Sequence, residues 1–183
     1  MRKIDVIFAI ICGLAVAWIA SDFFNKYKWL FLFVLPILSI IGLWLTDLIG
    51  KKMLFARQAG KFVLAGAFAD AIDIKVFQFL FLFIQFSILL KAISFVIATF
   101  VKYYSDKHWT FEKHENDHAK REMAYFFLVA TVGMAINVVS FYFFGKIRTG
   151  LADKIWTEMC IILAALVTAT WNFCGYKFIV FKK

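Results

Sequence analysis

Proline occurs once in this chain of 183 residues, cysteine three times, and charged residues make up only 18% of it. Cys12, Cys160 and Cys174 each fall within an apolar run, far apart in sequence. That spacing excludes a CxxC metal or redox motif and argues against a disulfide framework; the three read as small packing residues. No Gly-rich phosphate loop of the Rossmann or P-loop kind is present, so soluble nucleotide chemistry has no place here. No Ser-His-Asp or Cys-His order stands out either, and the chain is read as non-enzymatic, with no cofactor.

What the chain has instead is apolar sequence in blocks. It is 63% hydrophobic and 20% aromatic, with 24 Phe, where a soluble domain is closer to half apolar. The blocks are about twenty residues long, the length needed to cross a hydrocarbon core. The expected fold is an all-α integral membrane protein of six spans, at residues 4–22, 28–47, 58–83, 86–105, 122–145 and 153–176. Pro36 lies inside the second, where a membrane helix tolerates it. Arg2 and Lys3 before an apolar run ending in Ala15-Val16-Ala17 also fit a signal peptide; the segment is read as an uncleaved first helix.

Basic residues gather on one side of this arrangement: Arg2 and Lys3; Lys51, Lys52, Arg57 and Lys61; Lys102, Lys107, Lys113, Lys120 and Arg121; and Lys177, Lys182 and Lys183. The other side holds only Lys26, Lys28, Lys91, Lys146, Arg148 and Lys154. By the positive-inside rule both termini are cytoplasmic. The net charge of +9 is then a topology signal and a match to anionic lipid, and no nucleic-acid partner is expected.

The sequence also repeats itself. R57QAGKFVLAGAFADAIDIKVFQF aligns with R121EMAYFFLVATVGMAINVVSFYF, placing Arg57 on Arg121, Phe62 on Phe126 and Asp73 on Asn137. KYYSDKHWTFEK (102–113) aligns with NFCGYKFIVFKK (172–183), placing Lys102 on Asn172, Lys107 on Lys177 and Phe111 on Phe181. The last four helices are therefore expected to form two parallel helix-hairpin repeats, one of the architectures used by transporters.

Arg57 with K61-F62-V63-L64-A65-G66, then K107-H108-W109-T110-F111, then W171-N172-F173 with K177-F178-I179-V180-F181, together resemble the GtrA-like membrane proteins. The resemblance covers about residues 54–183 and sets off a four-helix module (53–183) from an added N-terminal helix pair (1–52). Ser105 stands where family members often have Asn before the basic-aromatic tail, and Gly175 stands near the equivalent place in the second copy. The resemblance implies work on polyprenyl-phosphate-linked sugars: flipping such a lipid across the cytoplasmic membrane, or anchoring the glycosyltransferase that makes it.

Within the third span, GKFVLAGAFADAIDIKVFQFLFLF (60–83), Asp70, Asp73 and Lys75 stand where a charge costs about 2.5–3.5 kcal/mol on insertion scales. Asp73 lies roughly 24 Å beyond Arg57 along a helix, and Asp70 shares its face. Asp73 and its counterpart Asn137 are candidates to accept hydrogen bonds from sugar hydroxyls. The structural alternative pairs Asp70 or Asp73 with Lys75 or with a basic residue of another helix. Lys75 would meet a lipid phosphate or else snorkel to the headgroups. Arg57 and Arg121 would grip phosphate bidentately. Lys102, Lys107, Trp109, Asn172 and Lys177 would meet the headgroup at the interface, where an aromatic belt is the ligand-free alternative. His108, His114 and His118 lack a fixed partner ligand and are not read as a metal site. A proton-coupled carrier using Asp70 and Asp73 is a third class of function. A bundle this small is expected to act as a homo-oligomer, most simply a dimer.

Overall fold

The computed structural model describes residues 1–83, 86–113, 118–147 and 153–182. His114 and the neighbouring loop residues, Arg148 and Lys183 lie outside the described residues. Six long helices follow one another: α1 (Lys3–Phe23), α2 (Lys28–Gly50), α3 (Leu54–Phe81), α4 (Ser87–Ser105), α5 (Ala119–Gly145) and α6 (Asp153–Gly175). No strand occurs among the described residues. Five of the six are long and apolar enough to cross a membrane. The exception is α3, whose 28 residues carry the five charges Arg57, Lys61, Asp70, Asp73 and Lys75. The chain is an all-α, multi-pass membrane protein.

It divides into two compact units, Met1–His114 and Glu115–Lys183. In the first, α1 packs on α2, both pack on α3, and α3 packs on α4. The N-terminal helix pair thus shares a unit with the first helix hairpin. Small residues allow the close approach, as expected where lipid removes the hydrophobic drive between helices. A Cβ on Gly13 would lie 2.7 Å from the Pro36 nitrogen and 2.9 Å from the Leu35 carbonyl oxygen, so glycine is required at the α1–α2 crossing. Ala9, Cys12, Leu43, Ala65 and Trp109 form the buried core, with Phe8, Ile40, Leu64 and Phe68 packed around it. Cys12 and Cys160 are buried and Cys174 is half-buried, all with free thiols.

The second unit is the α5–α6 hairpin. Phe126 is fully buried and stacks on Tyr176, with ring centroids 4.0 Å apart.

Each hairpin ends in the same way. α4 passes into a π-helical turn, Asp106–Thr110, and α6 into another, Tyr176–Val180. The next residue, Phe111 or Phe181, is buried and donates its N–H to the carbonyl of Asp106 or Tyr176, at 2.8 Å in both. These are the residues that the internal alignment superposes.

Candidate functional site

The first unit carries two sets of polar groups. One is an ion cluster where the start of α1, the end of α2, the start of α3 and the segment after α4 meet. Arg57 and Lys61 are one helical turn apart on α3 and so present their cations on one face. The Lys61 ammonium lies 2.9 Å from Asp5 and 3.0 Å from Glu112, and donates to the Trp109 carbonyl at 3.3 Å. Both Lys61 and Asp5 are only 1% exposed. Arg57 reaches Asp5 at 3.2 Å and Asp47 at 3.2 Å, and Asp47 also meets the Met1 amine at 2.9 Å. The Trp109 indole N–H donates to Asp5 at 3.0 Å, and its ring stacks on Phe8.

Glu112 closes the cluster. Its backbone turns left-handed, with φ 53°, a conformation uncommon outside glycine. Its carboxylate pairs with Arg2 at 2.5 Å and with Lys61. Burial pushes its pKa up, but the hydrogen bond and charge of Lys61, with the charges of Arg2 and Arg57, outweigh that and hold it below the usual carboxylate range.

The second set runs along α3 and α4 away from that cluster. Beside the first π-helical turn, Asp106 is fully buried. It accepts from the Thr110 hydroxyl at 3.0 Å and lies 3.6 Å from the Lys102 ammonium. Lys102 also sits 4.2 Å above the Phe62 ring and beside Gly66. Asp70 is exposed, and Lys102, Asp73 and Lys91 all lie within reach of its charge. Asp73 pairs with Lys91 and accepts from the Ser94 hydroxyl at 2.6 Å. Beyond it, Lys75 pairs with Asp22 of α1 at 2.5 Å and lies 4.5 Å over the Trp18 ring, while Gln78 donates to Asp22. Polar groups therefore recur along α3 from Lys61 to Lys75, roughly 21 Å of helix.

In the second unit, Asn172 packs against Gly133: a Cβ there would lie 3.0 Å from the amide carbon and 3.1 Å from its nitrogen. The Asn172 oxygen is buried with no hydrogen bond among the described residues. Trp171 donates to the Val129 carbonyl at 3.1 Å. Asn137 is half-buried on α5. Arg121 is exposed and donates to the Tyr125 hydroxyl, and Lys177 lies over the Phe173 and Phe178 rings.

Several expectations change. Lys107 and Trp109 are not open at the surface: both are buried, because the π-helical turn packs back onto α3 and α4. Lys107 donates to the Tyr103 hydroxyl at 3.4 Å. Lys75 does not pair with Asp70 or Asp73; its partner is Asp22, contributed by the added helix pair. Arg57 faces carboxylates from two helices, Asp5 of α1 and Asp47 of α2, rather than standing open. Asp73 follows the structural alternative in having a basic partner on another helix. The sequence reading did not single out Asp5, Asp106 or Glu112, and it named Lys61 only as a basic loop residue and as part of the family motif. For three of them a signal was present: Lys61 is four residues from Arg57, Thr110 is four from Asp106, and Asp5 is an acid at the start of an apolar helix.

The family model described as GtrA/DPMS, transmembrane domain, matches residues 61–181, two-thirds of the chain. No curated protein and no solved structure matches.

Proposed function

Because this chain belongs to the GtrA/DPMS transmembrane family, we propose that it flips a polyprenyl-phosphate-linked sugar across the cytoplasmic membrane for cell-surface glycosylation, as a non-catalytic carrier. The observation that carries the reading is the succession of polar groups along α3 and α4: Lys102 with Asp106, then Asp70, then Asp73 with Lys91 and Ser94. A polyprenyl tail needs no shelter from lipid, so only the sugar-phosphate headgroup has to be accommodated. Among the described residues, each charge on its route except Asp70 has an ion-pair partner within 4 Å. A passing phosphate or hydroxyl would exchange one polar partner for another, avoiding the several kcal/mol of an unsatisfied polar group in hydrocarbon. Asn137 and Asn172 would supply uncharged hydrogen-bonding groups in the second repeat, and Arg57, Arg121, Lys107 and Lys177 would favour the phosphate at the cytoplasmic side. Both termini are cytoplasmic in this reading, and the carrier works as a homodimer; monomer mass by light scattering in an active detergent preparation would exclude the dimer.

The test is translocation of a labelled polyprenyl-phosphate sugar in proteoliposomes, comparing the wild type with Asp73→Ala and Asn137→Ala. Protein-dependent movement, lost in variants that remain folded, is the expected outcome. A wild type that moves no lipid but binds or stimulates a glycosyltransferase would make the protein a membrane anchor instead. Burial of Asp106, Lys107, Trp109 and Thr110 leaves that alternative fewer side chains for docking.

A further inference from the structure

Asp5 receives more donors than its place in a helix requires. An acid in the first turn of a helix usually caps a backbone N–H and stays at the surface. Asp5 does accept from the Arg2 backbone N–H, at 3.1 Å. It is also met by the Lys61 ammonium at 2.9 Å, the Trp109 indole at 3.0 Å, and the guanidinium groups of Arg57 at 3.2 Å and Arg2 at 3.4 Å. An ammonium, guanidinium groups and an indole N–H converging on one buried point make a donor set suited to an anion with several oxygens.

The two α3 cations each have partners besides Asp5. Lys61 is held independently by Glu112 at 3.0 Å and the Trp109 carbonyl at 3.3 Å, and Arg57 by Asp47 at 3.2 Å. The anion, by contrast, is delivered by α1, which precedes the family-matched segment beginning at residue 61. The same first turns of α1 bring Phe8 onto Trp109, with ring centroids 5.0 Å apart.

We propose that Arg57, Lys61 and the Trp109 N–H form a seat for a phosphate group, and that Asp5 occupies it as a built-in, displaceable competitor. α1 thereby regulates access of a phosphate-bearing ligand to the module. This rests on the translocation reading for the identity of the ligand, but the seat is tested by binding, without transport. When phosphate enters, Asp5 and Phe8 leave together, Glu112 keeps Lys61 oriented and Asp47 keeps Arg57 oriented.

The experiment measures binding of citronellyl phosphate, a short water-soluble prenyl phosphate, and of inorganic phosphate to the purified full-length protein, by thermophoresis and by thermal stabilisation. An occupant present more than nine-tenths of the time weakens apparent affinity by roughly tenfold or more. Asp5→Asn is therefore expected to bind citronellyl phosphate at least roughly tenfold more tightly than wild type, and to lose that gain when Lys61→Met is added. Asp5→Asn is also expected to melt lower than wild type and to recover with ligand. Recovery with inorganic phosphate as well assigns the seat to the phosphate alone; recovery only with the prenyl compound assigns it to the lipid. Unchanged affinity, or a lowered melting point that neither ligand restores, overturns the proposal and leaves Asp5 a fixed structural ion. Phe8→Ala keeps Asp5 and loosens α1; it reads the same competition, with a smaller gain expected and no gain overturning it, should Asp5→Asn not fold. If Asp5→Asn gains affinity while no form moves lipid, the seat stands and the flippase reading falls. If wild type moves lipid and Asp5→Asn gains nothing, the reverse holds.

Discussion

Replacing Lys61 by Met tests whether the ion cluster holds the first unit together. Lys61 and Asp5 are both 1% exposed and 2.9 Å apart, so neither has water to fall back on. Removing one partner of a buried pair typically costs about 3–5 kcal/mol, because the other charge is left uncompensated. Here Asp5 would keep Arg57, Arg2 and the Trp109 N–H, and Glu112 would keep Arg2. The expected loss is therefore at the low end, about 3 kcal/mol, and Asp5→Asn should cost a similar amount. The double variant removes both charges at once and should cost well under the sum. A coupling of about 2 kcal/mol is expected, within the range seen for contacting residues. Equilibrium unfolding in mixed micelles, followed by helicity, gives the four stabilities. Additivity to within about 0.5 kcal/mol would refute the argument, since it would mean that the two charges do not depend on one another.

Other outcomes follow from the same geometry. Gly13→Val should destabilise the α1–α2 crossing by about 2 kcal/mol or more through overpacking against backbone that cannot yield, whereas Gly42→Val, whose Cβ meets nothing within 4 Å, should change little; equal effects in a thermal-unfolding assay would refute the crossing. Gly133→Ala should displace the Asn172 side chain and reduce lipid movement in proteoliposomes, while Gly145→Ala, also facing open space, should not. Glu112→Gln should lower the melting point near neutral pH. The native pKa of Glu112 lies below its unfolded value, so its contribution is complete above the ordinary Glu pKa of about 4.3 and fades as pH falls through and below it. The gap between wild type and variant should therefore narrow in acid; a gap independent of pH would contradict the ion pairing.

The helical, membrane-spanning character of this protein was legible from its apolar blocks alone, because a bilayer requires every span to satisfy its own backbone hydrogen bonds. The duplication was legible too, and it reached finer detail than helix count: the aligned tails 102–113 and 172–183 both fold into a π-helical turn closed by a buried Phe. That turn itself was not legible. It buries Lys107 and Trp109, which a basic-aromatic tail would otherwise leave exposed, since composition cannot distinguish a residue beyond the end of a helix from one folded back beneath it.

By itself, then, the sequence determined how many helices there are, that α3 carries charges costly enough to demand partners, and which family the module resembles. Only the tertiary structure decided who those partners are. Asp73 is met by Lys91, 18 residues away, Lys75 by Asp22, 53 residues away, and Arg57 by Asp5, 52 residues away. The need for a counter-charge is local, because it arises from the cost of burying one ion. Its identity depends on which helices pack together and in what register, and that is set by close approaches such as Gly13 on Pro36, which no charge pattern along the chain encodes.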